Sequence, residues 1–396
     1  MIYYILLGFL FILAFFFDYV YAKGNRKLFY IICLLFFILV SGLRWKVGGD
    51  TYSYQFSFEN DVPTLSNIDK KYLFEYKWEP LFKILMSLCK TISKDFFVFQ
   101  LAHSLILNIL LFRFFKKYTK NVFTSLFIYA FFSYLYFNTE ILRESLAIAI
   151  FTLMYDYYNK KDWKIYYILG IIALGFHTSA FITLLFPLFR NQKLNQKGII
   201  ALISVFATFT ILQILLPINQ VLALLGSSVA DKYEYYSSVL MNINGMIYKA
   251  FLFVICPLII LKIRNKISFN STNNFENILF IYFLLAILYV AISGFGRFQN
   301  YLVPMMIVYY ADSLILILKH RKIKQYAFIL LPLTLIIPFY FKLSYYTTST
   351  DQYYQGTTNF SRYYPYSTVI EKKEYDFREI IYRQGMSDAY KNSLNR

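Results

Sequence analysis

The sequence predicts an all-α fold, a polytopic bundle of helices in a membrane. Of its 396 residues, 58% are hydrophobic and 21% are aromatic, and the mean hydropathy is +0.48. These values exceed those of soluble globular proteins. The apolar residues form long runs, such as 2–20 and 275–292, and a helix of roughly 20 residues crosses the hydrocarbon core. The runs lack the alternation typical of strands, so helices make the crossings.

Basic residues indicate which loops face the cytoplasm. The net charge is +18, and twenty of the forty lysine and arginine residues lie in six short clusters between apolar runs. By the positive-inside rule these clusters mark cytoplasmic loops, and their distribution argues against a nucleic-acid partner. The clusters are Lys23/Arg26/Lys27, Arg113/Lys116/Lys117/Lys120, Lys160/Lys161/Lys164, Arg190/Lys193/Lys197, Lys262/Arg264/Lys266 and Lys319/Arg321/Lys322/Lys324.

Alternation of these clusters predicts about twelve crossings with both termini external. The first apolar run has its basic residues behind it, which indicates a retained span and not a cleaved signal. A short or re-entrant helix is expected near 79–92, because two full crossings before Arg113 would place that basic cluster outside. We therefore expect a transmembrane catalytic bundle over 1–343 with external loops at 44–78 and 217–244, followed by an external tail at 344–396.

Cofactor chemistry has little support in the sequence. The three cysteines, Cys33, Cys89 and Cys256, lie far apart in apolar segments, which favours core packing over a disulfide or zinc site. We find neither a glycine-rich nucleotide loop nor a carboxylate cluster suited to a metal. We therefore expect no cofactor, no metal and no nucleotide sugar.

The most distinctive polar stretch is LRWKVGGDTYSY at residues 43–54. An apolar span ends there in Arg44, Lys46, the Gly48-Gly49 pair and Asp50, and the predicted topology places the stretch outside. Two cations, a flexible turn and a carboxylate at the membrane boundary suit an anionic, lipid-linked substrate.

Other ionisable groups are predicted to reach the same face. Asn138, Glu140, Arg143 and Glu144 begin a span, His177 is at the tip of the hairpin 165–189, and Arg297 begins a later span. The topology was derived from loop charges alone, so this convergence is independent of it. Ionisable residues at membrane depth are costly and usually functional, and a helix N-terminus adds donors for an anion.

Each of these residues also has a structural interpretation. The alternatives are an interfacial anchor for Arg44, Lys46 and Arg297, a helix-capping turn for Gly48 to Asp50, an ion pair of Arg143 with Glu140 or Glu144, and a backbone bond for His177. His103, in mid-span without an acidic neighbour, is expected to be structural, and Asp312 has no assigned role.

Three segments together resemble a known family. Leu43-Arg44, Val47 to Thr51 and Tyr54 match LR-x-x-x-G-x-D-x-x-x-Y, a signature of the EpsG branch of the Wzy-type bacterial polysaccharide polymerases. Phe137-Asn138 with Leu142 to Ala147, and Phe176 to Ala180, are similar to its second and third segments. Gly296-Arg297-Phe298 and Tyr364-Pro365-Tyr366 match more loosely. Glu144 stands where the family often has Gln.

The resemblance implies a polymerase for O-antigen, capsule or exopolysaccharide at the outer face of the bacterial cytoplasmic membrane. Such an enzyme transfers a growing glycan from undecaprenyl pyrophosphate to the non-reducing end of a lipid-linked repeat unit. The implied partners are this donor and acceptor, membrane lipid, a chain-length regulator and a flippase.

The resemblance also implies roles for the polar residues. The catalytic residues are Asp50 as the favoured base, His177 as the second choice, and Glu144 beside Arg143. The pyrophosphate and substrate site contains Arg44, Lys46, Gly48, Gly49, Tyr54, Asn138, Glu140, Arg143 and Arg297.

Two rival functions stay open. A flippase for lipid-linked oligosaccharide also needs cationic residues, but it would have charges at several depths and repeated halves. The charges of this chain gather at one face, which favours an enzyme. A glycosyltransferase that uses polyprenyl-phosphate sugars on the same face is the second rival.

Overall fold

The computed structural model describes residues 2–74, 78–192, scattered positions between 194 and 208, and 243–267, 275–320, 336–351 and 353–394. Regular structure in these ranges is helical, apart from two isolated β-bridges, Arg44 with Thr368 and Thr350 with Thr358. This confirms the predicted all-α class.

The helices are numbered here in chain order. They are α1 (Ile2–Leu13), α2 (Arg26–Gly42), α3 (Thr51–Asn60), α4 (Lys70–Phe74), α5 (Pro80–Ile92), α6 (Phe96–Tyr118), α7 (Val122–Phe132), α8 (Tyr134–Thr139), α9 (Leu142–Lys160), α10 (Trp163–Phe176), α11 (Phe181–Leu185), α12 (Ile243–Ala250), α13 (Cys256–Ile267), α14 (Glu276–Ala291), α15 (Gly296–Asn300), α16 (Val303–Lys319), α17 (Ile337–Thr348) and α18 (Asp376–Leu394).

Among the described residues, three helical stretches are long and apolar enough to cross a membrane: Ile2–Tyr19, Phe96–Tyr118 and Gly245–Ile267. Several shorter apolar helices accompany them. The predicted helix at 79–92 is present as α5, but its re-entrant path, the number of crossings and the sidedness of the termini stay predictions. The predicted loop 217–244 lies largely outside the described residues.

The chain divides into two compact units. The first contains Met1–Phe181 together with Ile337–Arg396, and the second contains Ile182–Ile336. The tail thus belongs by its contacts to the first unit. The division predicted at residue 343 separated a membrane bundle from an external tail, and it stays a prediction.

Local sequence signals explain where several helices begin and end. The side chain of Asn25 accepts a hydrogen bond from the Leu28 N–H at 3.1 Å, and Asp162 accepts from the Ile165 N–H at 3.3 Å, so both cap helix N-termini. Pro80 occupies the first turn of α5, where its missing N–H does no harm. Helix α9 ends at Lys161, which has a left-handed conformation.

Helix α6 lies in the centre of the first unit, where it packs against α2, α5 and α9. The contact with α2 is close because Gly42 lacks a side chain: a Cβ there would lie 2.8 Å from Leu101 Cδ1. Buried polar groups on α6 have partners in neighbouring helices. His103 Nε2 lies 3.0 Å from both the Leu142 carbonyl oxygen and Ser145 Oγ, which agrees with the structural role predicted for it.

An aromatic cluster fixes the segment after residue 50 against this core. Tyr54 on α3 lies 5.5 Å from Trp78, and Phe82 on α5 lies 5.5 Å from Phe99 on α6, measured between ring centroids. Phe58 and Phe82 are completely buried. Such ring pairs each contribute about 0.5–1.5 kcal/mol beyond their burial, so α3 and α5 are held firmly on α6.

Basic clusters predicted to be cytoplasmic meet at one end of the first unit. Arg26 at the start of α2 forms a 2.6 Å salt bridge with Asp18 and also donates to the Lys120 carbonyl. Arg113 near the end of α6 lies 2.5 Å from Asp156 near the end of α9. Helix α2 begins at this end and α9 finishes there. The residues after α2 and before α9 therefore lie at the opposite end of the unit.

The second unit has its own packing. Helices α13, α14 and α16 make the packing contacts within this unit. Ile317 packs against Ile259 and Ile263. Arg264 donates to Ser313 Oγ at 3.0 Å. Arg297 is exposed on the short helix α15.

Sidedness can be tested with single cysteines. Glu59 and Lys161 are both exposed, and the native cysteines are buried. We expect Glu59→Cys to react with a membrane-impermeant maleimide on intact cells, and Lys161→Cys to react only after permeabilisation. The reverse pattern would invert the predicted orientation.

Candidate active site

Arg44 is the centre of the loop that follows α2. Its side chain is 1% exposed, and its Nε donates to the Val47 carbonyl at 3.1 Å while Nη1 donates to the Ser41 carbonyl. Burial lowers the pKa of Arg44 to about 10, so the guanidinium stays charged at neutral pH. Through these hydrogen bonds Arg44 braces residues 41–47.

The glycine pair allows this loop to pack against the start of α9. Gly48 has a φ of +128°, a conformation that favours glycine, and a Cβ there would lie 2.8 Å from Thr139 Cβ. A Cβ on Gly49 would lie 2.9 Å from both Glu140 Cγ and the Tyr363 hydroxyl oxygen. The first and second sequence segments are thus in direct contact.

The tail covers the same loop through backbone bonds. Trp45 N–H donates to the Ser367 carbonyl at 2.8 Å, and Val369 N–H donates to the Leu43 carbonyl at 2.8 Å. Gly48 N–H donates to the Arg362 carbonyl at 2.9 Å. Residues 362–369 therefore form part of the wall around the loop.

One cation of the loop and one of the wall form ion pairs with carboxylates. Lys46 Nζ lies 2.6 and 2.8 Å from the two carboxylate oxygens of Glu379 on α18. Arg362 Nε lies 2.5 Å from Asp351 Oδ2, and Arg362 Nη1 donates to the Gly49 carbonyl at 3.1 Å. The positive charge of Lys46 is therefore already compensated by this chain.

Arg143, in the first turn of α9, pairs with a residue outside the predicted set. Its Nη1 donates to Glu79 Oε2 at 2.6 Å, the guanidinium faces the Tyr54 hydroxyl, and its carbon Cζ lies 5.9 Å from the Trp78 ring centroid. The Arg143 side chain is 23% exposed. Among the described residues, its Nε is buried without a hydrogen-bond partner.

Glu79 also reaches the third segment. Its Oε1 accepts the Thr178 N–H at 3.0 Å, directly after His177. Burial by itself raises the pKa of Glu79, but the Arg143 charge and the Thr178 bond outweigh it, and the net shift of this pKa is downward. The carboxylate is therefore ionised at neutral pH.

The bonds of His177 determine which ring nitrogen holds the proton. Ser179 N–H donates to His177 Nδ1 at 3.2 Å, and Ser179 Oγ lies 2.6 Å from the same nitrogen. Because Nδ1 accepts, the neutral ring carries its proton on Nε2. The neutral ring is therefore a donor at Nε2.

Asn138 and Glu140 bind protein groups. The Asn138 amide nitrogen donates to the Tyr134 carbonyl at 2.9 Å, and its oxygen accepts from Asn108 at 3.0 Å, which holds α8 against α6. Glu140 Oε1 accepts from the Tyr346 hydroxyl at 3.0 Å and from the Tyr363 hydroxyl. Both residues therefore shape the turn before α9.

Asp50 is the exposed carboxylate of the loop. It occupies the N-cap position of α3, but its side chain makes no capping bond. Glu144, in the first turn of α9, is only 2% exposed. Of these two candidate bases, Asp50 is the one open to solvent.

The structure thus brings together the three sequence segments at one end of the first unit. The residues gathered there are Arg44, Lys46, Gly48, Gly49, Asp50, Tyr54, Asn138, Glu140, Arg143, Glu144 and His177. Arg297 belongs to the second unit, and its role in this site stays a prediction.

Sequence reasoning missed several residues that complete the site. They are Glu79, Arg362, Tyr363 and Glu379. The signal for Glu79 was its position directly before Pro80, since an acid at that position begins a helix. The three tail residues carry no comparable local signal.

The fold and the site together define a helical membrane protein with paired cations and carboxylates at one end of a bundle. A family model, that of the EpsG family, matches residues 27–368. The chain belongs to the EpsG family, as its three segments predicted. Comparison with curated proteins gives no match, and comparison with solved structures gives none either.

The two glycines provide a test of the loop packing. We expect Gly48→Ala to lower stability by about 1–3 kcal/mol, because it forces a strained φ and places a methyl group against Thr139. Gly8→Ala is the matched control, since a Cβ there meets nothing within 4 Å. Thermal unfolding in detergent measures both. Equal melting temperatures would contradict the close packing.

Proposed function

We propose that this protein is a polysaccharide polymerase. It transfers a growing glycan from undecaprenyl pyrophosphate to the non-reducing end of a lipid-linked repeat unit, at the outer face of the bacterial cytoplasmic membrane. Family membership supports a membrane glycosyltransferase of polysaccharide biosynthesis. The observation that carries the proposal is the convergence of Asp50, Arg143 and His177, from three separate segments, at one end of the first unit.

The reaction joins two sugars and releases a pyrophosphate. The acceptor hydroxyl oxygen bonds to the anomeric carbon of the donor, the bond from that carbon to the pyrophosphate oxygen breaks, and the electron pair stays on the leaving group. Negative charge therefore develops on the pyrophosphate in the transition state. Preorganised donors at that position are the largest source of rate enhancement in such a site.

Arg143 is the best placed cation for the leaving group. It is partly exposed and lies in the first turn of α9, where the helix dipole also favours an anion. Arg44 braces the loop, and Lys46 binds the substrate only in competition with Glu379. His177, with its proton on Nε2, suits donation to a phosphate oxygen.

Asp50 is the base in this proposal. A general base takes the proton of the attacking hydroxyl and must be reachable by the acceptor sugar. Asp50 is exposed, whereas Glu144 is buried and the Nδ1 lone pair of His177 is engaged by Ser179. Gly48 and Gly49 hold Asp50 next to the start of α9 through their contacts with Thr139 and Glu140.

A cleft beside the site supports a substrate with a lipid tail. It has a volume of about 120 Å³ and lies between α1, α7, α8 and the tail. Its lining is apolar or aromatic except for Ser133, and it includes Leu6, Phe131 and Leu135. Tyr346 and Tyr363 also line it and donate to Glu140, so the cleft adjoins the loop. An isoprene segment of a polyprenyl chain matches this apolar lining.

The central experiment is reconstitution of the purified protein in liposomes with a synthetic undecaprenyl-pyrophosphate-linked repeat unit. We expect pyrophosphate-linked oligomers without added nucleotide sugar. Passage of the substrate across the bilayer without oligomers would indicate a flippase instead. Consumption of polyprenyl-phosphate monosaccharides alone would indicate the other type of glycosyltransferase. A chain-length regulator and a flippase remain proposed partners in the cell.

Substitutions distinguish the roles of the proposed base and cation in the reaction from effects on folding. We expect Asp50→Asn and Arg143→Ala to lower polymer formation by about 10²- to 10⁴-fold, while single repeat units remain present. Asp61→Asn, at the end of the same helix α3, is the matched control and is expected to keep its ladder of long chains. Normal ladders from both site variants would refute the site assignment.

The cleft can be tested by filling it. We expect Leu135→Trp to raise KM for a donor with a full-length polyprenyl chain and to leave KM for a short-chain analogue unchanged, because only the long chain needs the cleft. Ile171→Trp adds the same bulk on an exposed side of α10 and serves as the control. An equal effect on both donors would argue against a tail in the cleft.

A further inference from the structure

Glu79 connects the second and third of the three sequence segments. It lies at the N-cap position of α5, and each of its oxygens has a different donor. Oε2 accepts from Arg143 Nη1 at 2.6 Å, and Oε1 accepts from the Thr178 N–H at 3.0 Å. Its side chain is 10% exposed. The carboxylate therefore forms a bridge between the start of α9 and the residue after His177.

The bridge joins parts of the chain that are far apart in sequence. Arg143 lies 64 residues and Thr178 lies 99 residues from Glu79. Arg143 is itself used in the proposed reaction. Thr178 directly follows His177, which the reaction also uses. One rigid group, at the start of a helix packed on α6, thus sets the distance between the cation and the imidazole.

The state of Arg143 shows why its orientation matters. Glu79 holds Nη1, and the Tyr54 hydroxyl lies beside the guanidinium. Nε is buried and has no hydrogen-bond partner in the described part of the chain. A buried donor left over in this way is costly unless a ligand uses it. The contacts with Glu79 and Tyr54 fix the plane of the guanidinium and so fix where Nε points.

We infer that Glu79 is a positioning residue that holds Arg143 and the His177 segment at a fixed separation for the transfer reaction. This inference rests on the proposed function. Glu79 itself touches no reacting atom. Its effect comes through the geometry of the two groups it binds, and a misplacement of about 1 Å in such groups costs on the order of 10²-fold in rate.

The conservative variant Glu79→Gln is informative because of its hydrogen-bond chemistry. Both partners are donors, and a carboxylate offers an acceptor to each. An amide of the same shape offers one acceptor and one donor, so Glu79→Gln must lose one of the two bonds. Glu79→Ala loses both. The two variants therefore form a graded series at one position.

A matched control exists at the opposite end of the same unit. Asp156 is a buried acid that pairs with Arg113 at 2.5 Å and Lys117 at 2.7 Å. Asp156→Asn makes the same chemical change in an ion pair of the same kind, away from the site. A loss of activity that comes only from weakened folding would appear in both variants.

The experiment measures kcat, KM and melting temperature in the liposome assay. We expect Glu79→Gln to lower kcat by about 10- to 100-fold, with KM unchanged or lower because the Arg143 charge is no longer compensated. Glu79→Ala should be lower still, and Asp156→Asn should stay within twofold of the natural protein. In a double-mutant cycle, Glu79→Gln and Arg143→Lys should be less than multiplicative.

Three kinetic results would overturn the inference. They are a kcat for Glu79→Gln within twofold of the natural protein, an equal loss in Asp156→Asn, and fully multiplicative effects with Arg143→Lys. If the natural protein forms no polymer, the proposed function fails, and hydrogen exchange decides the inference separately. We expect the Thr178 amide to exchange faster in Glu79→Ala and to be unchanged in Asp156→Asn; no change in either would also refute it.

Discussion

The burial of one positive charge constrains the whole end of the first unit. Arg44 is almost completely buried, and its hydrogen bonds go to the carbonyl oxygens of Ser41 and Val47. A buried charge is tolerated only where acceptors surround it. The chain must therefore turn back at residues 41–47 and be covered from outside, which the tail does through its bonds at Leu43 and Trp45. The turn of the loop and its cover by the tail both keep Arg44 out of water.

Three other cations near the loop are held by carboxylates. Lys46 pairs with Glu379, Arg143 with Glu79, and Arg362 with Asp351. Paired charges keep the desolvation cost low in the free protein. An anionic substrate must then compete with these carboxylates, so binding selects a ligand with enough charge to do so. A pyrophosphate meets that condition better than a neutral sugar, which agrees with the proposed leaving group.

Much of this end of the molecule was predictable from the sequence, and the reasons are local. An apolar span that ends in Arg44, and helix starts at Asp50 and Leu142, leave clear signals of charge and periodicity. Glu79 and the tail were not predictable as partners. Their contacts join residues 64 to 333 positions apart, and such pairing depends on how helices stack, which no spacing pattern encodes. The tail was predicted as a separate external segment, and its contacts with the loop are visible only in the structure.

The family match ends at residue 368, yet α18 beyond it contributes to the loop. Glu379 binds Lys46, and Tyr382 donates to Gln55 on α3. The net charge that the loop presents is thus set partly by a helix outside the matched region. The charge of the loop and its shape are therefore controlled by different parts of the chain. The shape depends on backbone bonds to residues 362–369, and the charge balance depends on α18.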